Sequence, residues 1–195
     1  MKKILSITAA VMIAAILGTS SIVPYVEADR GDQKTMVLRF IGEGSVLPVD
    51  ERPILEGLDP AIQAIILDPA TLCFEVPLEQ MKKNKIIGTG LDCLSNIVVN
   101  GDGSITLTDV TVFNIKKSVL VSVGDVTIQP NLTEDPTITH ITGSFPAGDN
   151  IVYGTKKFED ASGSVRLSGG VNMNDFPNTI NFDCLFVVNL HADDE

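Results

Sequence analysis

Three cysteines (Cys73, Cys93, Cys184) and two histidines (His140, His191) are the residues of this chain best suited to nucleophilic, redox or metal chemistry. Their spacing removes most of those options. No C-x-x-C pair exists, and two histidines with three scattered cysteines give almost no ligand set for zinc. A Ser-His-Asp mechanism needs a presented nucleophile, yet Gly-x-Ser-x-Gly is absent and Gly143-Ser144-Phe145 lacks its spacing. No glycine loop leads into a helix to cradle phosphate. Asn100-Gly-Asp-Gly103 is similar to the start of a calcium loop, but the sixth-position glycine and twelfth-position glutamate are missing. It reads as a hairpin turn. The expectation is a protein without metal or cofactor, and neither a conventional hydrolase nor a redox enzyme.

A disulfide remains for the cysteines. A turn near Lys83-Asn84 places Cys73 opposite residues 93–94, and neighbouring antiparallel strands bring Cα atoms to about 4.5–5.5 Å, within bridging range. Such a bridge would contribute roughly 3 kcal/mol in the chain-entropy model. Face parity points elsewhere, because Cys73 falls on the polar side of its strand while Cys93 and Cys184 fall on apolar sides. If the first and last barrel strands pair, Cys184 also neighbours Cys73. Cys73–Cys93 is favoured, with one thiol left over.

A disulfide suits export, and the N-terminus reads that way. Lys2 and Lys3 precede an apolar run from Ile4 to Leu17, and Val26-Glu27-Ala28 offers small residues for cleavage. The run is shorter than the roughly 20 residues a span needs. Residues 1–28 are therefore expected to be a signal peptide, leaving a secreted or periplasmic chain from Asp29 and no membrane span. The net charge of -11 becomes -12 without the two lysines and one glutamate of that segment. A surface so acidic repels phosphate, which excludes nucleic acid as a partner. The Asn131-Leu-Thr133 sequon has meaning only in a eukaryotic secretory pathway, and the lysine-led leader looks bacterial.

Residues 29–71 are expected to be irregular, with a strand over Thr35–Ile41 and a short helix over Ala61–Leu67, capped by Asp59 with Pro60 following. From Leu72 the pattern is strands. Leu72, Phe74, Val76 and Leu78 alternate with Cys73, Glu75 and Pro77; Ile180, Phe182, Cys184, Phe186, Val188 and Leu190 form one apolar face. The apolar parity changes at Thr108-Asp109 and at Gly124-Asp125, which predicts bulges. Thr139 to Met173 reads as strands around tight glycine turns, with Gly154 to Met173 as one hairpin. About eight strands between Leu72 and Leu190, with no convincing helix among them, predict an all-β closed antiparallel barrel over 72–191 and an acidic tail at 192–195. A β-sandwich is the second choice.

Gly154-Thr155, Phe158, Ala161 and Gly163 reproduce a G-T-x-x-F-x-x-A-x-G pattern ahead of an alternating strand. It resembles the glycine-rich hairpin of the allene oxide cyclase and dirigent barrel superfamily, and of exported bacterial proteins with such a barrel; the resemblance spans Cys73 to Leu190. It implies a barrel that encloses an apolar molecule. Gly90-Leu91-Asp92-Cys93 is similar to the cyclases' Gly-Leu-x-Cys strand, whose cysteine faces the cavity, and Cys93 shares parity with Ile87 and Leu91. The cyclases' early-strand glutamate and asparagine have no match beyond Glu43, which follows Phe40-Ile41-Gly42. Expected cavity residues are Cys93, then Asn96 and His140. Two functions compete: a non-enzymatic secreted barrel binding an apolar small molecule or a partner protein, and a cyclase- or dirigent-like enzyme steering a reactive apolar substrate by position alone.

Overall fold

The structure is a computed structural model that describes residues 34–129, 137–143 and 148–191. The expected signal peptide, the Asn131 sequon and the acidic tail lie outside the described residues. Within them the chain forms β1 (Lys34–Val46), α1 (Pro60–Leu67), β2 (Leu72–Gln80), β3 (Lys85–Val99), β4 (Ile105–Ile115), β5 (Ser118–Ile128), β6 (Ile138–Gly143), β7 (Ile151–Gly154), β8 (Gly163–Asn172) and β9 (Thr179–Leu190).

Every strand pairing is antiparallel, and eight of the strands close into a barrel in the order β1-β2-β3-β4-β5-β6-β8-β9. The ninth, β7, pairs with the first half of β5, along the edge whose second half holds β6. Asn150 ties this seam across to β8: its Oδ1 accepts from the Val165 amide at 2.6 Å, and its Nδ2 donates to the Val165 carbonyl at 3.2 Å.

The barrel begins earlier than the alternation suggests. β1 is its first strand and separates β2 from β9, so Leu72–Leu78 and Thr179–Leu190 do not pair directly. β1 matches β9 over twelve consecutive positions, from Lys34↔Leu190 to Ser45↔Thr179. Against β2 its register shifts between Phe40 and Ser45, at a bulge containing Gly42, whose φ of 89° suits glycine. Glycine, proline and acid in that stretch read as a loop in the sequence, but they accommodate the bend of a barrel strand. Gly154 to Met173 likewise is not one hairpin. β7 pairs with β5, a short 3₁₀ turn follows at Lys156–Phe158, and β8 pairs with β6 and β9. At Gly154 a Cβ would collide with the Phe158 carbonyl, which explains the glycine at the head of that turn.

The two parity changes are not bulges either. β4 and β5 pair in unbroken register from Ile105↔Ile128 to Ile115↔Ser118. The bulge is in β3 at Asn96-Ile97, between Ser95 and Val98, with Asn96 at φ 52°. What changes along β4 and β5 is the covering of their outer face. Leu47, Leu55, Leu58, Ile62, Ile65 and Ile66 pack over Leu91, Val110, Val112, Val121 and the two bridged cysteines, forming a second core outside the barrel. Strands buried on both faces lose clean alternation, and that loss reads as a phase change.

Arg52, buried at the base of this cover, holds it in place. Its guanidinium donates to the carbonyls of Ile66, Asp68 and Thr71 at 2.9 Å and of Leu47 at 3.1 Å. Asp59 caps α1 through the Ala61 amide at 2.7 Å, as expected, and Tyr153 on β7 donates to the Glu56 carbonyl at 2.7 Å. An eight-residue helix is too short to persist alone; here its apolar residues belong to the second core.

Inside the barrel the core is aromatic. Phe40 lies 4.5 Å from Phe186, 5.7 Å from Phe113 and 6.2 Å from Phe182, ring centre to ring centre. Burying one such ring stabilises by about 1.5–3 kcal/mol. Gly90 is part of this arrangement, because a Cβ there would run into the Phe40 ring.

Candidate functional site

Site residues can be located by following each strand's inward parity. β3 points Gly90, Asp92 and Leu94 inward, β4 points Leu107, Asp109, Thr111 and Phe113, and β5 points Leu120, Ser122 and Val126. An otherwise apolar barrel thus carries two carboxyls on its inner wall. Asp92 lies opposite Thr111 and Asp109 opposite Leu94, which makes the two acids diagonal neighbours on one face. Their exposures are 3% and 4%.

The pair shares a hydrogen bond between its side chains. The Thr111 hydroxyl donates to Asp109 Oδ2 at 2.6 Å. Oδ1 of each acid is buried without a hydrogen-bond partner among the described residues. Burial disfavours their charged forms. It pushes Asp92 well above the usual carboxylate range, helped by the Asp109 charge and by the hydrogen bond it donates to Asp109. It pushes Asp109 up to about 6, against the opposing pull of Thr111, Asp92 and the Cys93 amide. Within the pair, Asp92 is the acid pushed towards the protonated, donating form, and Asp109 the one whose hydrogen bonds favour the carboxylate. Cys184 on β9 faces the same interior, and burial with the Asp92 charge raises its thiol far above the ordinary range.

Next to Asp109 is a cavity of about 20 Å³, lined also by Thr111, Ser122, Asn150, Val165 and Phe186 among others. That is room for a single water molecule. The outer wall carries a larger hollow. Gly169 and Gly170 on β8 leave a trough of about 470 Å³ between β6 and β9, flanked by Ile138, Leu185, Asn172, Asn181 and Asp183.

None of the expected cavity residues lines the interior. Cys93 points outward into the second core and is bonded to Cys73, its direct partner across β2 and β3, at a Cα separation of 4.0 Å. Its apolar parity reflects the cover over the barrel, not the barrel lumen. Asn96 is exposed at the β3 bulge, and His140 is exposed on the outer face of β6. The favoured disulfide is present, with Cys184 free and buried. The bulge expected at Thr108-Asp109 hides the acid pair, because a change of parity there would bring the Val110 and Val112 side of β4 inward, whereas β4 runs without a break. Unbroken parity through Leu107, Asp109, Thr111 and Phe113 was the available signal.

Among the described residues no cluster of three or more metal-ligating side chains occurs, and no helix is long and apolar enough to cross a membrane. No family model, curated protein or solved structure matches this chain.

Proposed function

We propose that this chain is an exported, non-enzymatic binding barrel that engages an apolar small molecule or a partner's apolar side chain on its outer wall, in the trough over Gly169 and Gly170. The carrying observation is the contrast of volumes: about 20 Å³ inside against about 470 Å³ outside. A drug-sized apolar ligand needs roughly 300 Å³ or more. Export is supported by the N-terminal pattern and by the Cys73–Cys93 bridge, which suits an oxidising compartment. The trough can be filled without disturbing the sheet, since a Cβ at Gly170 meets nothing nearer than the Thr139 carbonyl at 3.7 Å. Titration with Nile red, a neutral apolar dye, tests this reading. Wild type should bind it, and Gly170→Phe should abolish binding while leaving the melting temperature unchanged. Dye binding that survives Gly170→Phe sinks the proposal.

One observation favours the cyclase- or dirigent-like alternative. Burial pushes the Asp92 carboxyl on the barrel wall well above the usual carboxylate range, and a carboxyl shifted that way can serve as a general acid towards a reactive apolar substrate. This reading requires the interior to open well beyond its present volume. Its test is turnover of a fatty-acid epoxide that Asp92→Asn abolishes.

A further inference from the structure

The barrel wall is not equally strong all round. β1 and β9 share twelve paired positions and β4 and β5 share eleven. The seam at β5 is different: β6 contributes three pairs, at Val126–Ile128, and β7 contributes three more, at Leu120–Ser122. Between these two short ladders lie Val123, whose amide donates to the Asn150 carbonyl at 3.0 Å, then Gly124 and Asp125. The cavity opens against this gap, lined by Gly124, Val126, Gly143 and Asn150 from the seam and by Asp109 and Thr111 from the opposite side of β5. A broken stretch of the wall therefore adjoins the buried carboxyl of Asp109, and Asp92, its neighbour on β3, lies one strand further on.

From these placements we infer that Asp92 and Asp109 form a proton-operated latch: the β5–β6/β7 seam stays closed while the pair holds a proton and admits water when both carboxyls are ionised. Two carboxylates side by side in an apolar interior repel each other and need solvent. Among the described residues no compensating charge faces them. From β5 comes the neutral Ser122, from β9 the Cys184 thiol, from the seam the Asn150 amide, whose hydrogen bonds already go to Val165, and from β1 the Phe40 ring. The only charged side chain acting on Asp92 among the described residues is Asp109. Water is the remaining compensation, and the cavity is its way in. The sign follows from linkage. Both groups hold protons more tightly in the folded barrel than in the unfolded chain. Their stabilisation is thus complete below about pH 4 and lost as pH rises through about 6 for Asp109 and through the raised pKa of Asp92.

The latch is tested by thermal melts from pH 5 to 9 together with hydrogen exchange, corrected for intrinsic rates, on the full mature chain. Wild type should lose on the order of 5 °C or more across that range, with protection falling first in β5 and β6 and last in β1 and β9. Asp92→Asn places an amide where the protonated acid stood, still able to donate to Asp109. It should flatten the profile and melt above wild type at pH 8. Asp109→Asn serves the same purpose should Asp92→Asn fail to fold. Parallel pH profiles for wild type and the folded variant would overturn the inference. So would a pH-dependent loss of protection spread evenly over all strands. A rise in melting temperature at pH 8 on adding calcium or magnesium, seen in wild type and lost in the variant, would also overturn it, by making the pair a cation site.

Discussion

The Thr111 hydroxyl donates to a carboxylate that has few other partners. It is a cause that lowers the Asp109 pKa, so it favours the charged form. Thr111→Val should destabilise the barrel by about 1–3 kcal/mol, and more at pH 8 than at pH 5, because the bond matters most when Asp109 is ionised. Urea unfolding at the two pH values checks this; an equal loss at both would mean that the hydroxyl only fills space. Cys184 invites a simpler experiment. Buried to 1% exposure and with its thiol titrating far above the usual range, it should ignore Ellman's reagent in the native protein and react as one thiol per chain in denaturant. At this scale the sequence was partly legible. The Lys83-Asn84 turn was enough to pair Cys73 with Cys93, because hairpin register depends only on nearby residues. Which face Cys93 occupied was not, because that depends on a cover contributed by residues 47–67. The same cover hid Asp109 by making the parity of β4 look as though it changes at Thr108-Asp109.

The cover itself hangs on few interactions. Arg52 satisfies four backbone carbonyls at the point where residues 47–71 fold back on the barrel. Arg52→Met keeps the bulk and removes the donors, leaving the buried Ile66 and Thr71 carbonyls without them. It should cost about 2–3 kcal/mol. Hydrogen exchange should show the loss of protection confined to residues 47–71, with β1 and β9 unchanged; a loss spread through the barrel would show that cover and barrel unfold as one unit. The disulfide fastens the opposite side of the same contact, and Cys73→Ala with Cys93→Ala should lower stability by roughly 3 kcal/mol in chemical denaturation. The short helix was legible from Asp59-Pro60 and the apolar run after it. The full length of β1 was not, because Gly42 and Gly44 look like punctuation until a bulge gives them a place. The Gly154–Met173 segment misled for a related reason: tight turns suggest that flanking strands pair with each other, whereas here each pairs with a more distant strand.

Barrel closure was readable from eight or so short strands at close spacing, since a sheet of that size with exposed edges is a liability that closure removes. The state of the lumen was not readable. Inward Val, Ile, Leu and Phe suit a lined cavity and a filled core equally well, and the outcome depends on how Phe40, Phe113, Phe182 and Phe186 meet across the barrel. They meet closely, and the proposed function moves to the outer wall as a result. Native mass spectrometry of the disulfide-bonded protein, purified from an oxidising compartment and followed by solvent extraction, tests that claim most directly. Wild type, Gly170→Phe and the lumen-filling Val126→Phe would be run side by side. The account predicts that any apolar adduct carried by wild type persists in Val126→Phe and is absent from Gly170→Phe, which flies at the mass of the chain alone. An adduct that persists in Gly170→Phe and disappears from Val126→Phe would contradict it, placing the ligand inside the barrel.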